Sequence, residues 1–246
     1  MWIRVMTELA SGLNQLIFPD YCLICDIPEG DGNKFSHGLC GMCHDAVTND
    51  PLPACPWCAA TVGPHADTGN GCLACKGKSF AFDAAIRLGS YDRQLREVIL
   101  RMKAANGESV AEQMGRILCA RLCSKLSKLA LTTVVPVPLH WQRRFARGHN
   151  QAAGIGRELA TGLGIPFASS GLRRLRNTPQ QGQPTASARQ ENVKGAFGVS
   201  RRARFVGETV LLVDDVMTTG STASEAARVI KKAGARSVFV AVLARR

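Results

Sequence analysis

Two acidic residues followed by a run of small hydroxylated residues form the most informative stretch of this sequence. Asp214 and Asp215 directly follow the apolar run 210–213, whose branched side chains predict a buried parallel strand. The loop 217–222 is rich in Thr and Ser, and residues 223–233 have the composition of a helix. Free N–H groups at a helix start attract phosphate, while carboxylates bind sugar hydroxyls or hydrated magnesium. This chemistry suits a ribose 5-phosphate, although Asp and Thr also cap helices without any ligand.

The same stretch resembles the phosphoribosyl pyrophosphate (PRPP) signature of type I phosphoribosyltransferases. The resemblance implies that the two aspartates bind the ribose hydroxyls and that the loop surrounds the 5-phosphate. The implied PRPP-binding residues are Asp214, Asp215, Met217, Thr218, Thr219, Gly220, Ser221 and Thr222. Thr218 stands where the 6-oxopurine branch of that family has an aspartate thought to assist the incoming base, so a purine-salvage interpretation is weakened.

Eight of the ten cysteines occur as four Cys-x-x-Cys pairs, a spacing typical of metal sites. Two such pairs complete one tetrahedral sulfur site, which predicts about two structural zinc ions per chain. The pairs can be used in sequence, as two zinc ribbons, or in a cross-braced arrangement; redox-active thiols are the alternative. Three histidines nearby (His37, His44, His65) fit exposed loops better than ligand positions. The predicted ligands are Cys22, Cys25, Cys40, Cys43, Cys55, Cys58, Cys72 and Cys75.

A basic run follows the strand-like segment 132–138, which ends in prolines. Arg143, Arg144 and Arg147 lie just beyond this strand end, where a guanidinium can clamp a pyrophosphate. Ligands of open α/β sheets bind beyond the carboxyl ends of the strands, so this run and the acidic pair are expected to face one crevice. A solvated basic loop is the alternative. Lys103, with Arg101, precedes a turn and either binds an anion or belongs to a solvated helix face.

Charge and apolar patterning divide the chain into an acidic first part and a basic second part. Residues 1–82 carry 4 Lys/Arg and 8 Asp/Glu, a net −4, whereas residues 83–246 carry 27 and 11, a net +16. The positive charge therefore accompanies the phosphate motif, and an anionic ligand or partner is expected there.

Residues 1–18 have the spacing of an amphipathic helix that packs on the protein or, less favoured, attaches to a membrane surface. Interrupting polar residues argue against a secretion signal or membrane span, which predicts a cytoplasmic protein.

The remaining elements follow from periodicity and from breakers. Strands are predicted over 84–91, 132–138 and 237–243, and helices over 92–103, 109–129 and from the basic run to about 163. Cys119 and Cys123 lie within the second helix and are predicted to pack in the core. Residues 173–204 contain eight Lys/Arg and one acid, which predicts a solvated loop. Phe197 within this segment and Phe205 directly after it are expected in the core.

Several motifs together are similar to the ComF family, whose members combine a double zinc ribbon with a type I phosphoribosyltransferase-like domain. They are Pro-Val-Pro-Leu-His, Arg-Gly-x-Asn-Gln, the four cysteine pairs and a later Arg-x-x-Thr-x-x-Gln…Arg-x-x-Asn-x-x-Gly-Ala-Phe pattern. The last pattern comprises Arg176 (or Arg174), Thr178, Gln181, Arg189, Asn192, Gly195, Ala196 and Phe197, with Pro184 in place of an expected apolar residue. The resemblance implies a helix at 1–18, zinc ribbons at 19–80 and a Rossmann-like, mainly parallel α/β domain at 82–246. It also implies that 173–204 closes over the reacting pyrophosphate.

The implied function is PRPP binding with magnesium in a protein linked to DNA uptake and natural transformation. If the protein is an enzyme, Asp214, Asp215, Arg143 and Arg147 are the implied catalytic residues of a pentosyl transfer that releases pyrophosphate. The acceptor nucleophile carries no sequence signature. Two alternatives remain open: a non-catalytic PRPP or nucleotide sensor, and an adaptor that guides single-stranded DNA while its zinc ribbons dock a DNA-uptake motor.

Overall fold

Four parallel strands form the central sheet of the residues that the computed structural model describes, which are 21–30, 34–178, 191–201 and 203–246. The strand order is β1-β6-β5-β2, and β3 and β4 form a separate antiparallel pair. The strands are β1 (Ala84–Ser90), β2 (Thr133–Pro136), β3 (Leu172–Arg174), β4 (Phe197–Val199), β5 (Thr209–Met217) and β6 (Ser237–Arg245). Val/Ile/Leu-rich central strands are typical of parallel sheets that helices cover on both faces. The predicted α/β class is confirmed.

Helices cover both faces because alternate side chains of each strand point to opposite sides. Leu211 and Val213 of β5 pack in one core with two long helices, and Val210 and Leu212 pack in the other core with the last helix. The helices are α1 (Gly41–Thr48), α2 (Arg93–Met102), α3 (Glu108–Leu126), α4 (Trp141–Arg147), α5 (Gln151–Leu163) and α6 (Ser221–Lys232). No helix among the described residues is long and apolar enough to cross a bilayer.

Close packing of α3 against α5 depends on a residue without a side chain. A Cβ atom at Gly115 of α3 would lie 2.9 Å from the Cα of Ile155 and 2.9 Å from the Cβ of Glu158, both in α5. Real Cβ atoms do not approach backbone so closely, so any larger residue must push the helices apart. This contact fixes α5, which begins beside the predicted pyrophosphate clamp.

Several predicted boundaries were wrong, and each difference has a local cause. β5 continues to Met217 and β6 to Arg245, because residues 214 and 216–217 remain paired with β6. The acidic pair therefore lies within the strand and not after it. The basic run predicted as a loop contains helix α4, which ends where Gly148 adopts a left-handed φ of 78°. Within the predicted loop 173–204, residues 173–174 and 197–199 are strand residues of the β3–β4 pair.

The remaining predictions for buried and outlying residues have mixed outcomes. Phe197, Phe205 and Cys119 are buried as predicted, but Cys123 is exposed, and its predicted packing role is wrong. The predicted helix at 1–18 lies outside the described residues, as do Gln181, Pro184 and Arg189.

Arg87 attaches the cysteine-rich segment to the edge strand β1. Its side chain is almost fully buried, and its Nε and Nη2 donate to the carboxylate of Asp50 over 2.9 and 3.0 Å. Nη1 donates to the main-chain oxygen of Ala59 and to the hydroxyl of Thr61 over 3.0 and 2.6 Å. A main-chain bond from Ala85 to Trp57 extends the same contact. The cysteine-rich segment and the sheet are therefore joined through buried, charge-assisted hydrogen bonds.

Candidate functional site

A pocket of about 380 Å³ opens at the carboxyl ends of β2 and β5, above the first turn of α6. Parallel strands present their carboxyl ends at one edge of the sheet, which is where α/β proteins bind ligands. The acidic pair, most of the hydroxylated loop and Arg147 of the basic run, predicted from separate parts of the sequence, meet here, whereas Arg144 is exposed and does not line the pocket. The lining includes Lys103, Arg147, Arg174, Thr178, Asn192, Asp214, Asp215, Thr218, Thr219, Ser221, Thr222 and Arg246.

Asp214 and Asp215 form the acidic side of the pocket, and both are half-buried. The main-chain N–H of Asp215 donates to Oδ1 of Asp214 over 2.9 Å, which fixes the Asp214 side chain. Burial, followed by the neighbouring charge of Asp215, raises the pKa of Asp214 well above its ordinary value. Lys103 opposes this rise, because its Nζ lies 3.0 Å from Oδ2 of Asp215. The pair is thus a site of concentrated negative charge that a hydroxyl donor or a cation would stabilise.

The hydroxylated side of the pocket is formed by residues 218–222, which are the connection from β5 to α6 and the first two residues of that helix; this segment is called the phosphate loop below. The hydroxyls of Thr219 and Ser221 lie 2.9 Å apart, and both residues line the pocket. Gly220 precedes the helix with a left-handed φ of 82°, a conformation that glycine adopts without strain. The side chain of Met217, another predicted PRPP-binding residue, is buried in the core.

The basic side of the pocket is built from α2 and from the segment between β2 and α5. Arg147 lines the pocket, with Nη1 3.5 Å from Oε1 of Gln151. The end of α2 is fixed at Met102, whose main-chain oxygen lies 2.9 Å from Nε2 of His149 and 3.1 Å from Nε2 of Gln151. These contacts position Lys103, the next residue. Arg101 points elsewhere, towards the cysteine-rich segment. The side chain of Arg143 lies outside the described residues.

The structure describes two of the four residues that were predicted to act in the closing loop. Thr178 and Asn192 line the pocket, where Arg174 donates to Thr178, whereas Gln181 and Arg189 lie outside the described residues. The base of the loop is fixed to α6, because the N–H of Gly195 donates to Glu225 over 2.7 Å.

Two contributions at the pocket were missed by sequence reasoning. Arg246 lines it and donates its N–H to the oxygen of Met217 over 3.0 Å. Arg245 is buried below the phosphate loop, although it lies beyond the strand predicted over 237–243. Burial lowers the pKa of Arg245, which is nevertheless held among main-chain oxygens. Only the strand pairing of β6, which continues to this residue, could have indicated its burial.

The eight predicted metal ligands form two separate groups, used in sequence and not cross-braced. The possible ligand atoms of each group lie within 4.8 Å of one another. The first cluster is Cys22, Cys25, Cys40 and Cys43, and the second cluster is Cys55, Cys58, Cys72 and Cys75. Neither group includes His37, His44 or His65.

Local main-chain geometry favours the thiolate form of one cysteine in each cluster, whereas burial raises the pKa of Cys43 and Cys58 above the ordinary value of a thiol. Burial opposes ionisation of Cys55, but main-chain N–H groups of Cys58, Trp57 and Cys72 outweigh it and lower the pKa of this thiol to about 7. In the first cluster, burial is similarly outweighed by N–H groups, and the pKa of Cys22 falls to about 6. Four sulfur ligands with no open position fit structural zinc, which would supply folding free energy to segments with a small core.

The chain is similar in sequence to one family of domains and to two named bacterial proteins. Residues 150–246 match the phosphoribosyl transferase domain family. The chain is 30% identical to competence protein F of Haemophilus influenzae over 228 residues, which are 91% of this chain and 96% of that protein. It is also 30% identical to DNA utilization protein YhgH of Salmonella typhimurium over 234 residues, or 94% of this chain and 99% of that protein.

Among solved structures, the allosteric regulatory enzyme of purine biosynthesis aligns with a TM-score of 0.38 and 23% identity. The alignment covers 56% of this chain and 26% of that one. The whole-length similarity to competence protein F and the phosphoribosyl transferase match show that the chain belongs to the ComF family.

Proposed function

We propose that this protein binds PRPP, together with magnesium, in the pocket at the carboxyl ends of β2 and β5. The observation that carries the proposal is the arrangement of Asp214 and Asp215 next to the phosphate loop, at the start of α6 and opposite Lys103 and Arg147. The acidic pair suits a vicinal diol, the helix start suits a monophosphate, and the two cations suit a diphosphate. PRPP has these three groups on one ribose.

Each side of the pocket has a distinct role in this proposal. The hydroxyls of Thr219 and Ser221 and the N–H groups of the phosphate loop bind the 5-phosphate. Asp214 and Asp215 accept hydrogen bonds from the ribose hydroxyls, which requires the ionised form of Asp214. The raised pKa of Asp214 shows that this form is costly without a ligand, so bound hydroxyls or a cation would relieve the cost. Magnesium, when bound with the diphosphate, neutralises charge on the phosphate oxygens.

A transfer reaction is the chemical extension of this binding. A lone pair of the acceptor forms a bond to C1 of the ribose, and the bond between C1 and the diphosphate oxygen breaks. The diphosphate leaves with the electron pair, and Arg147 and Lys103 stabilise its charge electrostatically. The acceptor attacks with a lone pair of its own, and the proton that a neutral acceptor then loses passes to solvent.

The names of the relatives add the biological setting. One relative is called a competence protein and another a DNA utilization protein. We therefore place this protein in DNA uptake and in the use of incoming DNA, within the cytoplasm. Cell fractionation tests the location, and transformation frequency after gene deletion tests the process.

Calorimetric titration tests the binding site directly. PRPP with magnesium is expected to bind the parent protein, and ribose 5-phosphate more weakly, because it lacks the diphosphate. Asp214→Asn and Asp215→Asn should weaken PRPP binding about 10- to 100-fold each, since charge-assisted hydrogen bonds contribute roughly 1.5–3 kcal/mol. Asp45→Asn is the matched control, because the Asp45 side chain is 85% exposed on α1. Absence of heat with the parent protein would refute the proposal.

Pyrophosphate release separates an enzyme from a sensor. With candidate amines and bases as acceptors, an enzyme releases pyrophosphate in proportion to the acceptor consumed, and a sensor binds PRPP without release. An Arg147→Met variant should reduce release more strongly than PRPP binding, since charge on the leaving group develops in the transition state.

A second candidate function, handling of single-stranded DNA, is favoured by one feature of α4. Trp141 and Phe145 are 68% and 89% exposed and lie one helical turn apart, with the exposed Arg144 on the same helix. Exposed aromatics beside arginines can stack bases and contact phosphates. Trp141→Ala/Phe145→Ala should weaken oligonucleotide binding without changing PRPP binding. Oligonucleotide affinity that is unchanged by this pair of substitutions would remove α4 from the account.

A further inference from the structure

We propose that the second cysteine cluster is mechanically coupled to the phosphate loop through Arg245, so that metal binding and phosphate binding strengthen each other. Arg245 is thus a positioning residue for the ligand site, and the second cluster is part of the support of that site. The inference rests on the proposed binding of a ribose phosphate at the phosphate loop.

The first step is the set of hydrogen bonds that Arg245 makes on its two sides. Its side chain is buried, with Nε donating to the main-chain oxygen of Cys58 over 3.1 Å. Nη1 donates to the main-chain oxygen of Met217 over 3.2 Å, and also contacts that of Thr218. One guanidinium therefore joins a metal-ligand residue to the beginning of the phosphate loop. Because its donors lie in a rigid plane, displacement at one end is transmitted to the other.

A second contact joins the same two places without Arg245. Phe80 packs against both the second cluster and the core below α6. A Cβ atom at Gly220 would lie 3.0 Å from Cε1 of Phe80, so this ring supports the phosphate loop at its glycine. The neighbouring N–H of Ala81 donates to the hydroxyl of Ser224 in α6 over 3.0 Å. The chain leaving the second cluster thus contacts both the loop and the first turn of the helix.

Charge gives a reason for the position of Arg245. Four thiolates around a dication leave a net negative charge, and a buried guanidinium next to them is favoured by attraction. The hydrogen-bond acceptors of Arg245 that join the second cluster to the phosphate loop are the main-chain oxygens of Cys58, Met217 and Thr218. Loss of the second cluster's metal would therefore remove both the anchor and the compensating charge.

The first cluster is attached to a different part of the molecule and provides an internal control. Arg101 of α2 donates to the main-chain oxygen of Leu23 over 3.2 Å and pairs with Asp26 at 3.2 Å. This arginine also joins a cysteine loop to the sheet domain, but its recorded contacts do not include the phosphate loop. Arg101→Met and Arg245→Met therefore remove the same charge from two comparable contacts.

Equilibrium competition for zinc tests the coupling. Zinc-loaded protein is placed in a series of zinc buffers, with and without saturating ribose 5-phosphate, and protein-bound zinc is measured. Ribose 5-phosphate should strengthen zinc retention at one of the two clusters about 5-fold or more, the lower limit of typical coupling between sites. Cys25→Ser weakens the first cluster and so assigns the two transitions. The zinc affinity of the first cluster should not respond to the ligand.

The variants separate coupling from general destabilisation. Arg101→Met should keep the ligand-dependent difference, and Arg245→Met should abolish it, whatever the absolute zinc affinity. If Arg245→Met does not fold, Phe80→Leu provides a second test, because it removes the ring that supports Gly220. This variant should reduce the effect of ribose 5-phosphate on zinc retention. Calorimetric binding of ribose 5-phosphate without any change in zinc retention would overturn the coupling and leave the proposed function intact. Absence of ribose 5-phosphate and PRPP binding would overturn both.

Discussion

Replacement of Asp214 by asparagine should make the free protein more stable while it damages ligand binding. Asparagine has the same shape and keeps an oxygen that can accept the N–H of Asp215, now held over 2.9 Å. It removes a half-buried charge whose pKa is raised by burial and, to a smaller extent, by the neighbouring carboxylate of Asp215. Replacing such functionally placed charges commonly stabilises a protein by about 0.5–2 kcal/mol. For a domain of this size, 1 kcal/mol corresponds to roughly 2–4 °C in Tm.

The pH dependence of this effect has a definite sign. The folded-state pKa of Asp214 is raised, so the folded protein binds a proton that the unfolded chain releases at intermediate pH. Stability from this group is present below the unfolded pKa and is lost as pH rises through the folded pKa. The parent protein should therefore approach the stability of Asp214→Asn in acid and fall below it at neutral pH. Both proteins contain the same cysteines, so metal loss in acid affects them alike.

Thermal unfolding with and without PRPP and magnesium measures both parts of the prediction. At a ligand concentration of 100 times Kd, binding stabilises the parent by about 2.7 kcal/mol. If the substitution weakens binding 100-fold, the same ligand concentration stabilises the variant by only about 0.4 kcal/mol. Asp45→Asn, which removes an exposed charge, should change neither value. A variant less stable than the parent at neutral pH, or one with the full ligand shift, would refute this reasoning.

Three further perturbations test the framework around the site. Arg87→Met should lower the free energy of unfolding by about 1.5–3 kcal/mol in denaturant titration, because the partly buried carboxylate of Asp50 loses its charge-assisted hydrogen bonds; an effect below about 1 kcal/mol would contradict this. Glu225→Gln should cost about 1 kcal/mol at pH 7 through the weakened bond to Gly195. The cost should vanish as pH falls through the folded pKa of Glu225, which Arg228 lowers. Gly115→Val should cost at least about 1–3 kcal/mol by overpacking, and an unchanged Tm would contradict the close helix contact.

The parts of the site that could be predicted from sequence are those with a local chemical signature. A strand, two carboxylates, a run of hydroxyls and a helix follow one another in the sequence around the acidic pair and the phosphate loop. Few functions other than phosphate and sugar binding need these side chains in that order. The cysteine pairs are equally local, although only the structure distinguishes sequential from cross-braced use. Periodicity also located the helices and strands that bury an apolar face.

The missed features depend on partners that leave no sequence pattern. Arg245 is held by main-chain oxygens, which every residue has. The sequence therefore does not distinguish this buried arginine from an exposed one. Helix α4 exposes Trp141 and Phe145 and thus lacks the buried apolar stripe by which helices are recognised. Cys119 packs near Gly162, but α5 ends at Leu163. Cys123, one turn further along α3, lies beyond the end of α5 and is not covered by that helix.

A crystal structure of the protein with PRPP and magnesium tests the central claim most directly. The account predicts the 5-phosphate within hydrogen-bond distance of Thr219, Ser221 and the N–H groups that begin α6. It predicts the ribose hydroxyls on Asp214 and Asp215 and the diphosphate towards Lys103 and Arg147. A pocket that remains empty at saturating ligand, or a ligand whose phosphate lies away from the phosphate loop, would contradict the account.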